Sequence, residues 1–189
     1  GTGLTGVGKS VIIDAAMGRL SEGDEAQLVS ITINLSAQTQ SSNIVDALES
    51  GLERKRKNLL GPPSGKTMCV FVDDLNMPAL EVYGAQRTIE LLRQTIDEGG
   101  FYDTKKLFFK QVADCFFAAA CAPPGGGRSE VTPRLLRHFH MIWLESLSEA
   151  SMFRIFNNIL AGYLHATAPA MEATAEPIVH PPVSLFKQV

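Results

Sequence analysis

The sequence predicts an α/β fold, a mostly parallel sheet with helices over both faces. Three observations carry it. Two short, wholly apolar runs, 68–72 (MCVFV) and 115–121 (CFFAAAC), read as central strands. Segments with helical spacing alternate with the strand-like ones along the chain. A glycine-rich loop at 1–10 runs straight into the first of those helical segments.

Taken in order, 11–20 (VIIDAAMGRL) carries apolar residues at helical spacing directly after the loop. Residues 29–35 (VSITINL) alternate apolar and polar side chains, as a half-buried strand does. Ile44, Leu48 and Leu52 then recur every four residues and predict a helix. Arg54-Lys55-Arg56-Lys57 is expected to close that helix as a solvated end, its charge complementing the helix dipole. Gly61-Pro62-Pro63-Ser64-Gly65 interrupts the pattern before the strand at 68–72, which ends in Asp73-Asp74. Ile89, Leu92 and Ile96 predict a helix stopped by Gly99-Gly100. Pro123-Pro124-Gly125-Gly126-Gly127 ends the strand at 115–121. Pro133 opens a short helix through Arg137, and 139–144 (FHMIWL) reads as one more strand. Phe153, Phe156, Ile159 and Leu160 give 148–164 helical spacing, whereas 165–189 has no usable period and is expected to be irregular or disordered. No internal repeat is evident.

The chain has 189 residues, the size of one core-bearing domain or a piece of one. Its 17 basic residues against 20 acidic ones leave a net charge of −3, so no strong field draws it to nucleic acid or an anionic membrane. With 45% hydrophobic and 20% charged residues, wholesale disorder is excluded. Cys69, Cys115 and Cys121 lie in apolar runs without C-x-x-C spacing, and predict buried, reduced thiols of an intracellular protein. No stretch approaches the roughly 18 to 20 continuous apolar residues of a membrane span, and no signal pattern stands at 1–10. The expectation is a soluble chain that is not exported.

The chemistry is concentrated in two places. Gly3-Leu4-Thr5-Gly6-Val7-Gly8-Lys9-Ser10 matches G-x-x-x-x-G-K-[ST]. Glycines let such a loop curl so that successive N–H groups point at a β-phosphate, and the helix that starts at Lys9 adds its positive end. Lys9 would reach the β- and γ-phosphates, and the Ser10 hydroxyl would ligate Mg²⁺. A partner element must supply carboxylates at the end of a buried strand, and Asp73 and Asp74 stand there. Arg134 and Arg137, three apart, are candidates for stabilising charge on a transferring phosphoryl group. His138 and His140 alternate without further ligand spacing, so a metal site is not expected at them.

With these residues in place, the chain resembles an AAA+ ATPase module of the P-loop NTPase class, and more closely the third AAA module of axonemal dynein heavy chains. The likeness runs over 1–164. It rests on Asp73-Asp74-Leu75-Asn76-Met77-Pro78-Ala79, Tyr83-Gly84-Ala85-Gln86, Ile89-Glu90-Leu91-Leu92-Arg93-Gln94, Pro123-Pro124-Gly125-Gly126-Gly127-Arg128 and Val131-Thr132-Pro133-Arg134-Leu135-Leu136-Arg137-His138-Phe139. The resemblance implies a large α/β subdomain at 1–147, the start of a helical lid at 148–164 and a tail at 165–189. It implies ATP or ADP with Mg²⁺, Gly3 to Ser10 as the Walker A loop, and Ser10 and Asp73 on the metal. Asp74 is then the catalytic carboxylate, and Arg134 or Arg137 the finger serving a neighbouring module. The partners it implies are the neighbouring AAA modules of the same heavy chain, dynein intermediate and light chains, and microtubules through the full motor, with neither nucleic acid nor membrane. Such motors drive minus-end-directed sliding in the axoneme of a cilium or flagellum, part of the cytoskeleton, and their third module is usually regulatory.

Three departures from the family pattern bear on activity. Active modules carry Asp-Glu where this chain has Asp73-Asp74, and a carboxylate set back by roughly 1 Å can cost on the order of 100-fold in rate. The polar sensor position falls at Ala122. The sheet order implied is 5-1-4-3-2, yet the sequence opens inside the Walker A loop, so the strand before it and most of the lid are expected to be missing. ATP or ADP binding with slow or absent hydrolysis is therefore expected. An actively hydrolysing module and a structural spacer without nucleotide are the alternatives. The piece by itself is expected to bind nucleotide poorly and to aggregate.

Overall fold

A computed structural model describes residues 1–22, 27–103, 107–168, 175 and 177–179. It divides into two compact units, Gly1–Leu144 and Glu145–Val189. The first runs β1 (Thr2–Gly3), α1 (Lys9–Ser21), β2 (Leu28–Asn34), α2 (Ser41–Gly51), β3 (Glu53–Arg56), β4 (Leu59–Gly61), β5 (Thr67–Asp73), α3 (Arg87–Glu98), β6 (Gly100–Asp103), β7 (Phe108–Val112), β8 (Cys115–Ala119), α4 (Pro133–Leu136) and β9 (Trp143–Leu144). The second holds α5 (Glu149–Thr167).

The parallel sheet that the apolar runs predict is present. β5 lies between β2 and β8, in register from Leu28 with Thr67 to Asn34 with Asp73 on one side and from Met68 with Cys115 to Val72 with Ala119 on the other. β1 pairs in parallel with β9, and Thr2 bridges to Cys121 just past β8. The order is therefore β9-β1-β8-β5-β2, which is 5-1-4-3-2. Thr2–Gly3 alone hold the first-strand position that the sequence reading leaves empty. Backbone bonds root them there: Thr2 N donates to Ile142 O at 2.8 Å, and Cys121 N to Gly1 O at 3.1 Å.

Alternation along β5 sorts the core onto the two faces of the sheet. Met68, Val70 and Val72 join Ile44 and Leu48 of α2 and Ile89 and Leu92 of α3. Cys69 and Phe71 turn the other way and meet Met17 and Ile13 of α1. Gly99 ends α3 in the left-handed conformation at φ 64°, as the Gly99-Gly100 stop predicts. All three cysteines are free, but Cys115 is only half-buried, a correction to the expectation that all are buried. Desolvation pushes their thiols up, that of Cys115 to about 11.

Two further expectations, on the basic run and on the strand at 139–144, are corrected. The basic run does not end a helix. α2 stops at Gly51, Leu52 is buried in extended backbone, and Glu53–Arg56 pairs antiparallel with β4. β4 joins β7, and β7 joins β6, so the cations line an exposed edge of a second sheet, β3-β4-β7-β6, a position where charge suits a strand. The β6–β7 hairpin has no counterpart in the sequence reading. Only Trp143–Leu144 of the strand expected at 139–144 pairs, because the amides of His138 and Phe139 bond back to the Leu135 and Leu136 carbonyls and prolong the turn of α4.

In the second unit, Ser148 caps α5 by accepting from Ser151 N at 3.2 Å, and Met152 packs with Val179. The helix continues through Thr167, and 177–179 are helical, so the irregular tail expected from 165 onward is corrected at these positions. The rest of that stretch lies outside the described residues. Among the described residues, no helix is long and apolar enough to cross a membrane.

Candidate functional site

The loop at 3–10 leaves β1 at its carboxyl end and enters α1, the arrangement its sequence spacing predicts. Gly3 is buried against β9 so closely that an added Cβ would stand 2.4 Å from the Leu144 carbonyl oxygen. Gly6 and Gly8 take φ of 83° and 82°, and Gly8 is the residue from which α1 starts. Those values exclude most side chains, while the space around both glycines is open to 4 Å. The loop is thus a turned backbone with open space beside Gly6 and Gly8. Lys9 Nζ donates to the carbonyls of Gly3 at 2.9 Å and Leu4 at 2.7 Å, which holds the ammonium against the loop. Leu4, Thr5 and Gly6 are exposed, Val7 is buried, and Ser10 is half-buried in the first turn of α1. These residues fit the phosphates of a nucleotide: glycine amides free to turn inward, a helix N-terminus and a lysine.

Asp73 and Asp74 stand at the carboxyl end of β5, two strands from β1 in the same parallel sheet. The two acids differ. Asp73 Oδ1 accepts the Asp74 amide at 2.9 Å, while Asp74 sits at φ 51° with its side chain half exposed and its Oδ1 3.9 Å from Arg128 Nη2. Leu75 N donates to Ala120 O at 2.9 Å, and buried Asn76 donates from Nδ2 to Ala122 O at 2.7 Å. Ala122 offers no polar side chain, and its carbonyl is engaged by Asn76.

The two candidate finger arginines part company. Arg134 is exposed and has no ion pair among the described residues. Arg137 Nη2 bonds both oxygens of Asp97, at 2.8 and 2.9 Å, and Asp97 also takes Arg93 Nη1 at 2.6 Å. Chiefly through the Arg137 bonds, the Asp97 carboxyl is held below the usual carboxylate range. Asp97 lies in the last turn of α3, the end away from the loop that follows Asp74, so Arg137 is not brought to Lys9 and Asp73. Sequence reasoning misses the placement of Arg128. A cation directly after three glycines at the end of a central strand was its available signal.

A glycine-turned loop rooted in β1, between β9 and β8 of a 5-1-4-3-2 parallel sheet, with carboxylates two strands over, defines the class: a P-loop NTPase module of the AAA+ type. A model of the P-loop containing dynein motor region matches residues 1–147, and the chain belongs to that family. Dynein axonemal heavy chain 6 of Homo sapiens is 50% identical over 188 residues, which cover 100% of this chain and 4% of that protein. Dynein axonemal heavy chain 12 of Homo sapiens is 43% identical over 189 residues, covering 98% and 6%. For dynein axonemal heavy chain 1 of Homo sapiens the figures are 39% over 200 residues, covering 99% and 5%. The chain thus spans 4 to 6% of the length of these relatives.

Proposed function

We propose that this chain is a nucleotide-binding AAA+ module, the third of an axonemal dynein heavy chain, which binds ATP or ADP with Mg²⁺ and hydrolyses slowly or not at all. Gly3 to Ser10 hold the phosphates, Ser10 and Asp73 hold the metal, and Mg²⁺ neutralises phosphate charge when bound. Residues 1–147 form the large subdomain, and 148–164 begin the lid. The module regulates a minus-end-directed microtubule motor of the ciliary or flagellar axoneme. Its partners are neighbouring AAA modules, intermediate and light chains, and microtubules through the whole motor. Arg134, exposed and without an ion pair among the described residues, is the better candidate than Arg137 for a finger on the next module.

The observation that carries this reading is the contrast between an open phosphate loop and a compromised hydrolytic end. Asp74 is one methylene shorter than glutamate, is left-handed in its backbone and stands toward Arg128, and Ala122 provides no polar group. Single-turnover ATPase of the full-length protein, with the other nucleotide sites disabled, tests it. The expected rate is on the order of 100-fold below that of an ordinary AAA+ enzyme, and Asp74→Glu should raise it. A native rate at the ordinary level would overturn the slow-hydrolysis reading.

A further inference from the structure

The loops that leave β5 and β8 at their carboxyl ends are laced together. Besides the Leu75 and Asn76 bonds to Ala120 and Ala122, Ser129 N donates to Asn76 O at 2.9 Å. Between them, Gly125, Gly126 and Gly127 take φ of 124°, 58° and 85°, and Gly125 and Arg128 exchange two backbone hydrogen bonds of 3.1 Å. Consecutive left-handed residues of this kind are open to glycine and strained for other residues. The hairpin they close presents Arg128.

The surroundings of Arg128 leave it under-used. Among the described residues its Nε is buried with no hydrogen-bond partner, its side chain is 23% exposed, and the carboxylate it faces, Asp74, lies beyond hydrogen-bond reach at 3.9 Å. A buried guanidinium N–H without an acceptor is costly, so the group has unfilled capacity for an anion. Topology says which anion. β8 lies between β1, which carries the phosphate loop, and β5, which carries Asp73. The hairpin after β8 therefore borders the space where a phosphate chain held by Lys9 approaches a metal held by Asp73.

We propose that Arg128 is a specificity-determining residue of this nucleotide site, selecting a triphosphate over a diphosphate by offering its guanidinium to the third phosphate, with Asp74 as the competing carboxylate. The inference rests on the nucleotide reading above. Arginine suits the task because its planar fork accommodates both a carboxylate and a phosphate oxygen. Asp74 acts against it, both by drawing on the same guanidinium and by repelling phosphate charge.

The test is equilibrium binding of fluorescent ADP and of a fluorescent, non-hydrolysable ATP analogue to the full-length protein, this site being the signal lost in Lys9→Ala. Arg128→Gln should lower the triphosphate-to-diphosphate affinity ratio about tenfold, a loss typical of one charge-assisted hydrogen bond, and leave diphosphate affinity unchanged. Arg128→Lys should fall between, keeping the charge but not the fork. Asp74→Asn should raise the ratio, and by less when Arg128→Gln is also present. If Lys9→Ala loses no signal, the nucleotide reading fails and this inference with it. If Lys9→Ala does lose it, but Arg128→Gln and Arg128→Lys leave the ratio unchanged or Asp74→Asn acts equally with and without Arg128, only the role of Arg128 is overturned.

Discussion

The sheet has two unequal halves. Around β5, the side chains of Met68 to Val72 are all buried, and α2 and α3 each set a row of buried residues against them. Around β1, two residues pair with two, α1 buries Met17 alone, and Val11, Ile12, Met141, Ile142 and Trp143 are all exposed. The half that carries the carboxylates is held by apolar packing, and the half that carries the phosphate loop is held by backbone hydrogen bonds. Packing resists local opening in proportion to buried area, whereas a short ladder opens with few bonds broken.

The largest contrast is expected from Leu92→Ala. Leu92 is fully buried in the cluster shared by β5, α2 and α3, and deleting its side chain should cost about 2–5 kcal/mol. Hydrogen exchange in the full-length protein should show amides of β5 and α3 losing protection together. Gly3→Ala probes the other half. Its Cβ would meet the Leu144 carbonyl oxygen at 2.4 Å, so β1 must shift from β9 at a cost of about 1–3 kcal/mol. Exchange should rise at 1–3 and 142–144 while β5 stays protected, and nucleotide affinity should fall. Protection lost across β5 as well would mean that the two halves open as one.

The parts legible in the sequence are those whose cause is local. The run 68–72 is apolar because its neighbours cover both faces, and the Gly3 to Ser10 spacing follows from the backbone the loop must adopt, so both could be read from composition and order. Arg54 to Lys57 misleads because solvated cations suit a helix end and a sheet edge equally, and what decides is pairing with Leu59–Gly61 and then with β7, some fifty residues on. The same holds at the site. Arg137 reads as a solvated cation until Asp97 of α3 is seen to accept from it, and Arg128 reads as part of a glycine-rich string until the hairpin sets it beside Asp74. Charge on a side chain is visible in sequence, whereas its partner is a tertiary fact.

A smaller effect tests the edge of the packed half. Asp97 ties α3 to Arg137 of α4, and its carboxyl is held low chiefly by the Arg137 hydrogen bonds. A depressed folded value means the stabilisation is present above the ordinary value of 3.8 and is lost as pH falls through the lower folded value. Exchange at 134–137 should therefore rise in strongly acidic buffer in the native protein. In Asp97→Asn it should already be raised at neutral pH and show no added acid step.

The smallest effect belongs to α1. Val11 is 72% exposed two residues from Lys9 in the first turn of α1, and its side chain belongs to neither cluster of buried residues around β5. Val11→Ser removes apolar surface that is already in water, so local stability should change by no more than about 0.5 kcal/mol, read as unchanged protection of α1. The substitution is informative because Val11 is as apolar as Val70, whose truncation in the packed half should be severe. Were Val11→Ser to strip protection from α1 or weaken nucleotide binding as strongly as Gly3→Ala, side-chain burial in the full-length protein would be fixing the phosphate loop. The division between a packed half and a hydrogen-bonded half would then hold only within residues 1–144.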